Sequence, residues 1–136
     1  MNDRILTKFT TRADSRTEPV LPDDVEATDD LGAFGWLRGV RERGLMLELR
    51  KKNGNILAVG YSWLEKAEFD PSEGITLFIS GQKITIKGRN LNAECGPRVR
   101  LFQGLTRHRV PWIQEADEPK RLQAGNAATV VDGIEW

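Results

Sequence analysis

Residues 45–91 constrain this chain most: LMLELRKKNGNILAVGYSWLEKAEFDPSEGITLFISGQKITIKGRNL. Apolar and polar residues alternate there in short runs, and turn-forming residues separate the runs. Successive side chains of a β-strand point to opposite faces, so a period of two marks a strand buried on one face. In LMLELR, Leu45, Leu47 and Leu49 share one face, with Met46, Glu48 and Arg50 on the other. Asn53-Gly54 accepts the positive φ angles of a tight hairpin turn, which makes residues 56–61 the returning strand. Residues 61–69 suit a strand through Trp63, Ala67 and Phe69, or a short helical turn through Leu64, Ala67 and Glu68. The DPSEG that follows favours the strand. Asp70 can cap a turn, Pro71 presets φ, and Gly74 takes a left-handed exit. Residues 75–80 then turn Ile75, Leu77 and Ile79 inward. After a tight turn at Gly81-Gln82, Ile84 and Ile86 continue that face, while Lys83, Thr85, Lys87 and Arg89 point outward.

The flanks add one strand and one helix. LGAFGWLRG predicts a first strand over residues 34–38. Past Asn90 the period changes: Pro97 suits the first helical position, where its missing N–H is not needed. Val99, Phe102 and Leu105 form an apolar stripe with Arg98, Arg100, Arg107 and Arg109 largely off it, which predicts a helix over residues 97–108. Gly104 weakens that helix by about 1 kcal/mol relative to Ala. The expected fold class is α+β: a small, curled antiparallel sheet of about five strands with one C-terminal helix packed on it. Its general shape resembles half-barrels such as pleckstrin-like domains. Residues 1–31 read as a disordered acidic tail, residues 32–116 as the sheet-plus-helix domain, and residues 117–136 as a linker with an apolar C-terminal segment.

A length of 136 residues favours one domain and supplies a core without staples. Twenty basic and twenty acidic side chains cancel, but unevenly. Residues 33–110 hold fourteen basic and seven acidic side chains, between acidic flanks. Cys95 is the only cysteine, which fits a reducing compartment. The first residues lack the apolar core of a secretory signal, and no apolar run reaches the length of a membrane helix, so the expected address is cytoplasmic. A single histidine, His108, rules out a site built on several imidazoles, and no cofactor or metal is expected. Ser62 lies in GYSWL, where Leu64 replaces the glycine a nucleophile elbow needs. Glu65, Glu68, Asp70 and Glu73 alternate with apolar residues and read as a solvated strand edge rather than an acid–base pair. The chain is not expected to be an enzyme.

Two features point to binding. ITIKGRNL, residues 84–91, resembles the second signature of Sm-like RNA-binding proteins, where an apolar strand leads into Arg/Lys-Gly and a polar loop. LELRKKNG and EFDPSEGITLFI fall upstream in roughly the order of that family's first strands. NAECGPRV stands where the family's next strand would be, and the helix follows the sheet instead of preceding it. The resemblance implies RNA contact by the loop; Lys83, Lys87, Arg89 and Asn90 are the candidate RNA or anion contacts. Arg38, Arg41 and Arg43 are either a solvated turn or part of an anion-binding surface. The second feature is the tryptophans. Trp36 and Trp63 read as core or core-edge residues. Trp112 and Trp136, with Val130, Val131 and Ile134 of the apolar C-terminus, are the candidate protein interface, able to pair with a sheet edge in this chain or in a neighbour. The leading expectation is a non-catalytic cytoplasmic protein-interaction module with a protein partner or self-association. The alternative is an RNA-binding domain using its basic strand face.

Overall fold

The computed structural model describes residues 28–39, 42–117 and 128–136. Among them the chain forms β1 (Thr28–Asp30), β2 (Gly35–Leu37), β3 (Met46–Arg50), β4 (Ile56–Gly60), a 3₁₀ turn (Tyr61–Trp63), β5 (Leu64–Asp70), β6 (Gly74–Ile79), β7 (Gln82–Arg89), the helix α1 (Leu101–Thr106), β8 (Trp112–Gln114) and β9 (Val130–Glu135). Among the described residues the α+β class holds in coarse form, as three sheets and one short helix that two further strands follow in the chain. The expected five strands are exceeded. No described helix is long and apolar enough to cross a membrane.

The four-stranded antiparallel sheet follows the alternating sequence, in the order β9-β7-β6-β5. Its turns form where the turn chemistry sits. Asp70 Oδ1 accepts from the Ser72 hydroxyl (2.7 Å) and from the Ser72 and Glu73 amides. These bonds favour the charged carboxylate and hold Asp70 below its ordinary pKa, the Ser72 hydroxyl contributing most. Gly74 closes that turn at φ 102°. The next hairpin centres on Ser80 and Gly81, both at positive φ, one residue earlier than expected. In the three-stranded sheet, order β4-β3-β8, β3 and β4 are antiparallel across the Asn53-Gly54 turn, whereas β8 runs parallel to β3. β1 and β2 form a separate hairpin that reaches β8 through a bridge between Phe34 and Ile113.

One core fills the space between these sheets. Leu47, Leu49, Ile75, Leu77, Ile79, Ile84, Ile86, Ile113 and Val131 are all fully buried, as are Leu101 and Leu105 of α1. The alternation expected for β3, β6 and β7 is therefore realised, with one exception. Leu45 is 87% exposed, because the chain bends there and β3 begins only at Met46. Trp63 is also exposed, at 64%; it ends the 3₁₀ turn instead of lying inside a strand.

The helix is shorter than expected. Residues 96–99 form a bridged turn, with Arg98 at φ 62°, so Pro97 precedes the helix and does not start it. Leu101, Gly104 and Leu105 face inward, while Phe102 packs half-buried on Phe69 with ring centroids 5.8 Å apart. Gly104 has a steric role: a Cβ there would lie 2.5 Å from the Trp36 ring and 2.8 Å from Val110. The helix ends in a 6→1, 5→2 pair of hydrogen bonds, from Arg109 N–H to Gly104 C=O (2.8 Å) and from His108 N–H to Leu105 C=O (3.2 Å). His108 takes the left-handed position at φ 57° and stacks on Tyr61 at 4.5 Å.

The C-terminal segment pairs within the chain. β9 lies antiparallel to β7, with a register shift between Val131 and Gly133. Glu115 ties three segments together, accepting from Lys52 N–H (2.9 Å) and Ile134 N–H (2.6 Å) while its own amide donates to Arg50 C=O (2.9 Å). Of the expected tail, residues 1–27 lie outside the described residues. Thr28–Asp30, assigned to that tail, form strand β1 because their backbone pairs with β2 and Asp29 binds Arg38.

Candidate functional site

The sequence-derived protein interface is largely absorbed by the fold. Val130, Val131 and Ile134 are buried; Val131 and Ile134 join the core on either side of the register shift in β9, with Ile134 opposite Ile86. Trp112 is half-buried: its ring lies against Gly35, where a Cβ would come within 2.5 Å, and Arg50 covers it at 4.7 Å. Trp136 stays 39% exposed, with Lys51 over its ring at 4.1 Å.

The basic strand face is likewise modified. Lys83 and Lys87 do point outward from β7, but Lys87 pairs with Glu135 at 3.3 Å, and Lys66 with Glu68 at 3.2 Å on the same sheet. Arg89 is exposed at the end of β7. Asn90 adopts φ 56°, donates to Ala128 C=O (2.8 Å), and accepts from the Thr129 hydroxyl at its own carbonyl (2.8 Å). Asn90 thus anchors the entry to β9. The resulting face carries both signs of charge.

Two other surfaces emerge. The first is the outer edge of β4. Its sequence is ILAVG, without a charge, and among the described residues no strand lies on its far side. Ile56 is 59% exposed and Met46 47%; Leu45 and Trp63 extend the same surface, the Trp63 ring lying over Gly60 with the Met46 sulfur close by. The second is a cleft of about 670 Å³ beneath the C-terminal end of α1. Arg38, Arg43, Arg98, Arg107 and Arg109 line it, with Asp29 as the only carboxylate among the lining residues. Asp29 is taken by Arg38, at 2.9 Å.

Local structure brings those arginines together. The helix terminus places Arg107 and Arg109 on either side of the left-handed His108. Arg109 donates to Leu37 C=O and lies over the buried Trp36 ring at 5.4 Å. The turn before α1 brings in Arg98, whose amide donates to Glu94 at 2.8 Å. Burial lowers the Arg109 pKa first, and the charges of Arg43 and Arg107 lower it further, against a smaller opposing effect of Glu42. Sequence reading singled out these arginines but not their convergence. The stretch RVRLFQGLTRHR, with four arginines and no acid, is the signal that marks the place.

Among the described residues no group of His, Cys, Asp and Glu side chains is arranged to hold a metal ion. Tyr61 is buried and donates to Val110 C=O at 2.6 Å; burial pushes its pKa well above the ordinary tyrosine value. No protein-family model, no curated protein and no solved structure matches the chain.

Proposed function

We propose that this chain is a non-catalytic, cytoplasmic protein-interaction module that binds an extended segment of another protein along the outer edge of β4. The observation that carries the reading is an uncharged strand with no neighbour on one side among the described residues, beside exposed Leu45, Met46, Ile56 and Trp63. An open edge offers a row of backbone donors and acceptors, and a partner strand satisfies them while apolar side chains supply affinity. Trp is enriched in such contacts because it buries much area at low entropic cost. The free, exposed Cys95 supports a reducing compartment.

Selection from a library of extended peptides tests this. Bound peptides are expected to slow amide hydrogen exchange in Ile56–Gly60 and to lose affinity in Ile56→Lys. Light scattering in the absence of peptide shows whether a second copy of the chain takes the same place. Peptides that protect β5 or α1 while leaving β4 unchanged would overturn the assignment.

A further inference from the structure

We infer that the arginine-lined cleft under α1 binds the sugar-phosphate backbone of single-stranded nucleic acid, independently of the β4 edge. Charge balance is the first reason. Five guanidinium groups line the cleft against one carboxylate, and that carboxylate is already engaged by Arg38. Gathering like charges costs free energy, which an anionic ligand recovers. The second reason is the type of cation. Every cation lining the cleft is arginine, whose planar fork donates two parallel hydrogen bonds to a phosphate.

The third reason is the shape of the basic surface. A second cleft of about 430 Å³, lined by Asn92, Arg100, Phe102, Gln103, Thr106 and Arg107, adjoins the first, with Arg107 in both walls. The two make a track around α1 that continues the arginines with amide and hydroxyl groups. Those groups match the phosphate and sugar oxygens that account for most contacts between proteins and nucleic acids. An elongated polyanion fits such a track better than a compact one. Trp36, the aromatic ring in the first cleft, is 8% exposed beneath Arg109, and Phe102 in the second is half-buried and packed on Phe69, so neither offers an open platform for a base. Recognition therefore runs through the backbone, with little sequence preference and strong dependence on salt.

Fluorescence anisotropy of the full chain with labelled twenty-nucleotide oligo(U) and oligo(dT) tests the site. If Arg43, Arg98 and Arg107 each neutralise one phosphate, affinity falls about 20-fold between 50 and 200 mM salt. Arg98→Glu with Arg107→Glu is expected to weaken binding at least about tenfold, and the Gln pair to fall between it and the unaltered chain. Lys83→Glu with Lys87→Glu, on the outer face of β7, is expected to leave binding unchanged. Circular dichroism and thermal melting establish that each variant folds. Binding of RNA, of DNA or of both supports the inference, and the ratio shows whether the 2′-hydroxyl is read. No binding of either strand at 50 mM salt would overturn it. So would equal loss from the β7 pair, or poly-glutamate binding as tightly as the oligonucleotides, which would make the ligand an acidic polypeptide.

Discussion

The edge strands β4 and β5 meet water in opposite ways. β5 reads LEKAEFD and exposes Glu65, Lys66, Glu68 and Asp70; β4 reads ILAVG and exposes Ile56 and Ala58. Charges along an edge deter a second strand because pairing would strip them of water, whereas an apolar edge invites one. Among the described residues the four-stranded sheet ends on β5 and the three-stranded sheet on β4, and only the first of these two edges is defended. The fold of the core does not demand this difference, since Ile56 and Ala58 face away from it. On the proposed reading the undefended edge is where binding and folding separate, and perturbing either edge tests that separation.

The largest expected effect removes the strand that covers the other side of the four-stranded sheet. A Cβ on Gly88 would stand 2.0 Å from the Val130 carbonyl oxygen, a backbone atom that cannot move aside cheaply. Gly88→Ala is expected to destabilise by about 3 kcal/mol, near the upper end for overpacking, and to loosen β9. Denaturant titration reads the loss, and amide exchange along β7 shows whether a second open edge has been made. Next comes Gly104→Ala. Its helix-propensity gain of about 1 kcal/mol opposes a clash with Trp36 that costs about 1–3 kcal/mol, and the clash wins because the ring is held between Gly104 and Arg109. The net loss, about 1 kcal/mol, should leave β4 association untouched in the same peptide assay.

Tyr61 follows β4 directly, and its hydroxyl anchors that end of the strand to Val110. Tyr61→Phe leaves a buried carbonyl without its donor and is expected to cost about 1 kcal/mol by chemical denaturation. The sign of its pH dependence follows from the raised folded-state pKa. The contribution is complete below pH 10.0, the unfolded value, and declines as pH rises above it, because only the unfolded chain then releases the proton readily. Unfolding curves at pH 9 and 11 should converge for the two proteins at the higher pH. The smallest change in stability, within about 0.5 kcal/mol, is expected for Ile56→Lys, although it should abolish capture at β4. Conversely, replacing Glu65 and Glu68 by Val should make β5 associate; if light scattering detects no such change, charge is not what distinguishes the two edges.

Much of the sheet was legible because its signals are local. Alternation at Leu47–Leu49 and Ile75–Ile79, the hairpin at Asn53-Gly54 and the Asp70 turn act over a few residues, and the structure contains each, although the hairpin loop is wider than the expected tight turn: residues 51–55 join β3 to β4 and only Gly54 takes a positive φ. Parallel pairing of β8 with β3 was not legible. Ile113 meets Leu49 only through tertiary packing, and a three-residue strand has too few positions to display a period. The helix start was misplaced because Pro97 fits a first helical turn as well as it fits the turn it occupies, and only the Gly96–Val99 bridge decides between them. The C-terminal apolar residues read as able to pair with a sheet edge in this chain or in a neighbour; the structure shows the pairing within the chain, where Val131 and Ile134 join the core. The arginine cleft joins Arg38 and Arg43 to Arg98, Arg107 and Arg109, a convergence no sequence window contains.

The attachment of β9 has a consequence for how the protein matures. Val130 meets Arg89 across a long intervening stretch of chain, so the four-stranded sheet is incomplete until residue 135 has been made. Closing such a loop costs entropy before contacts reward it, which places this step late in folding. A nascent chain halted after Gln114 would display the flank of β7 and a gap where Val131 and Ile134 belong. That is the kind of surface molecular chaperones hold, and release from them would mark the arrival of the final strand.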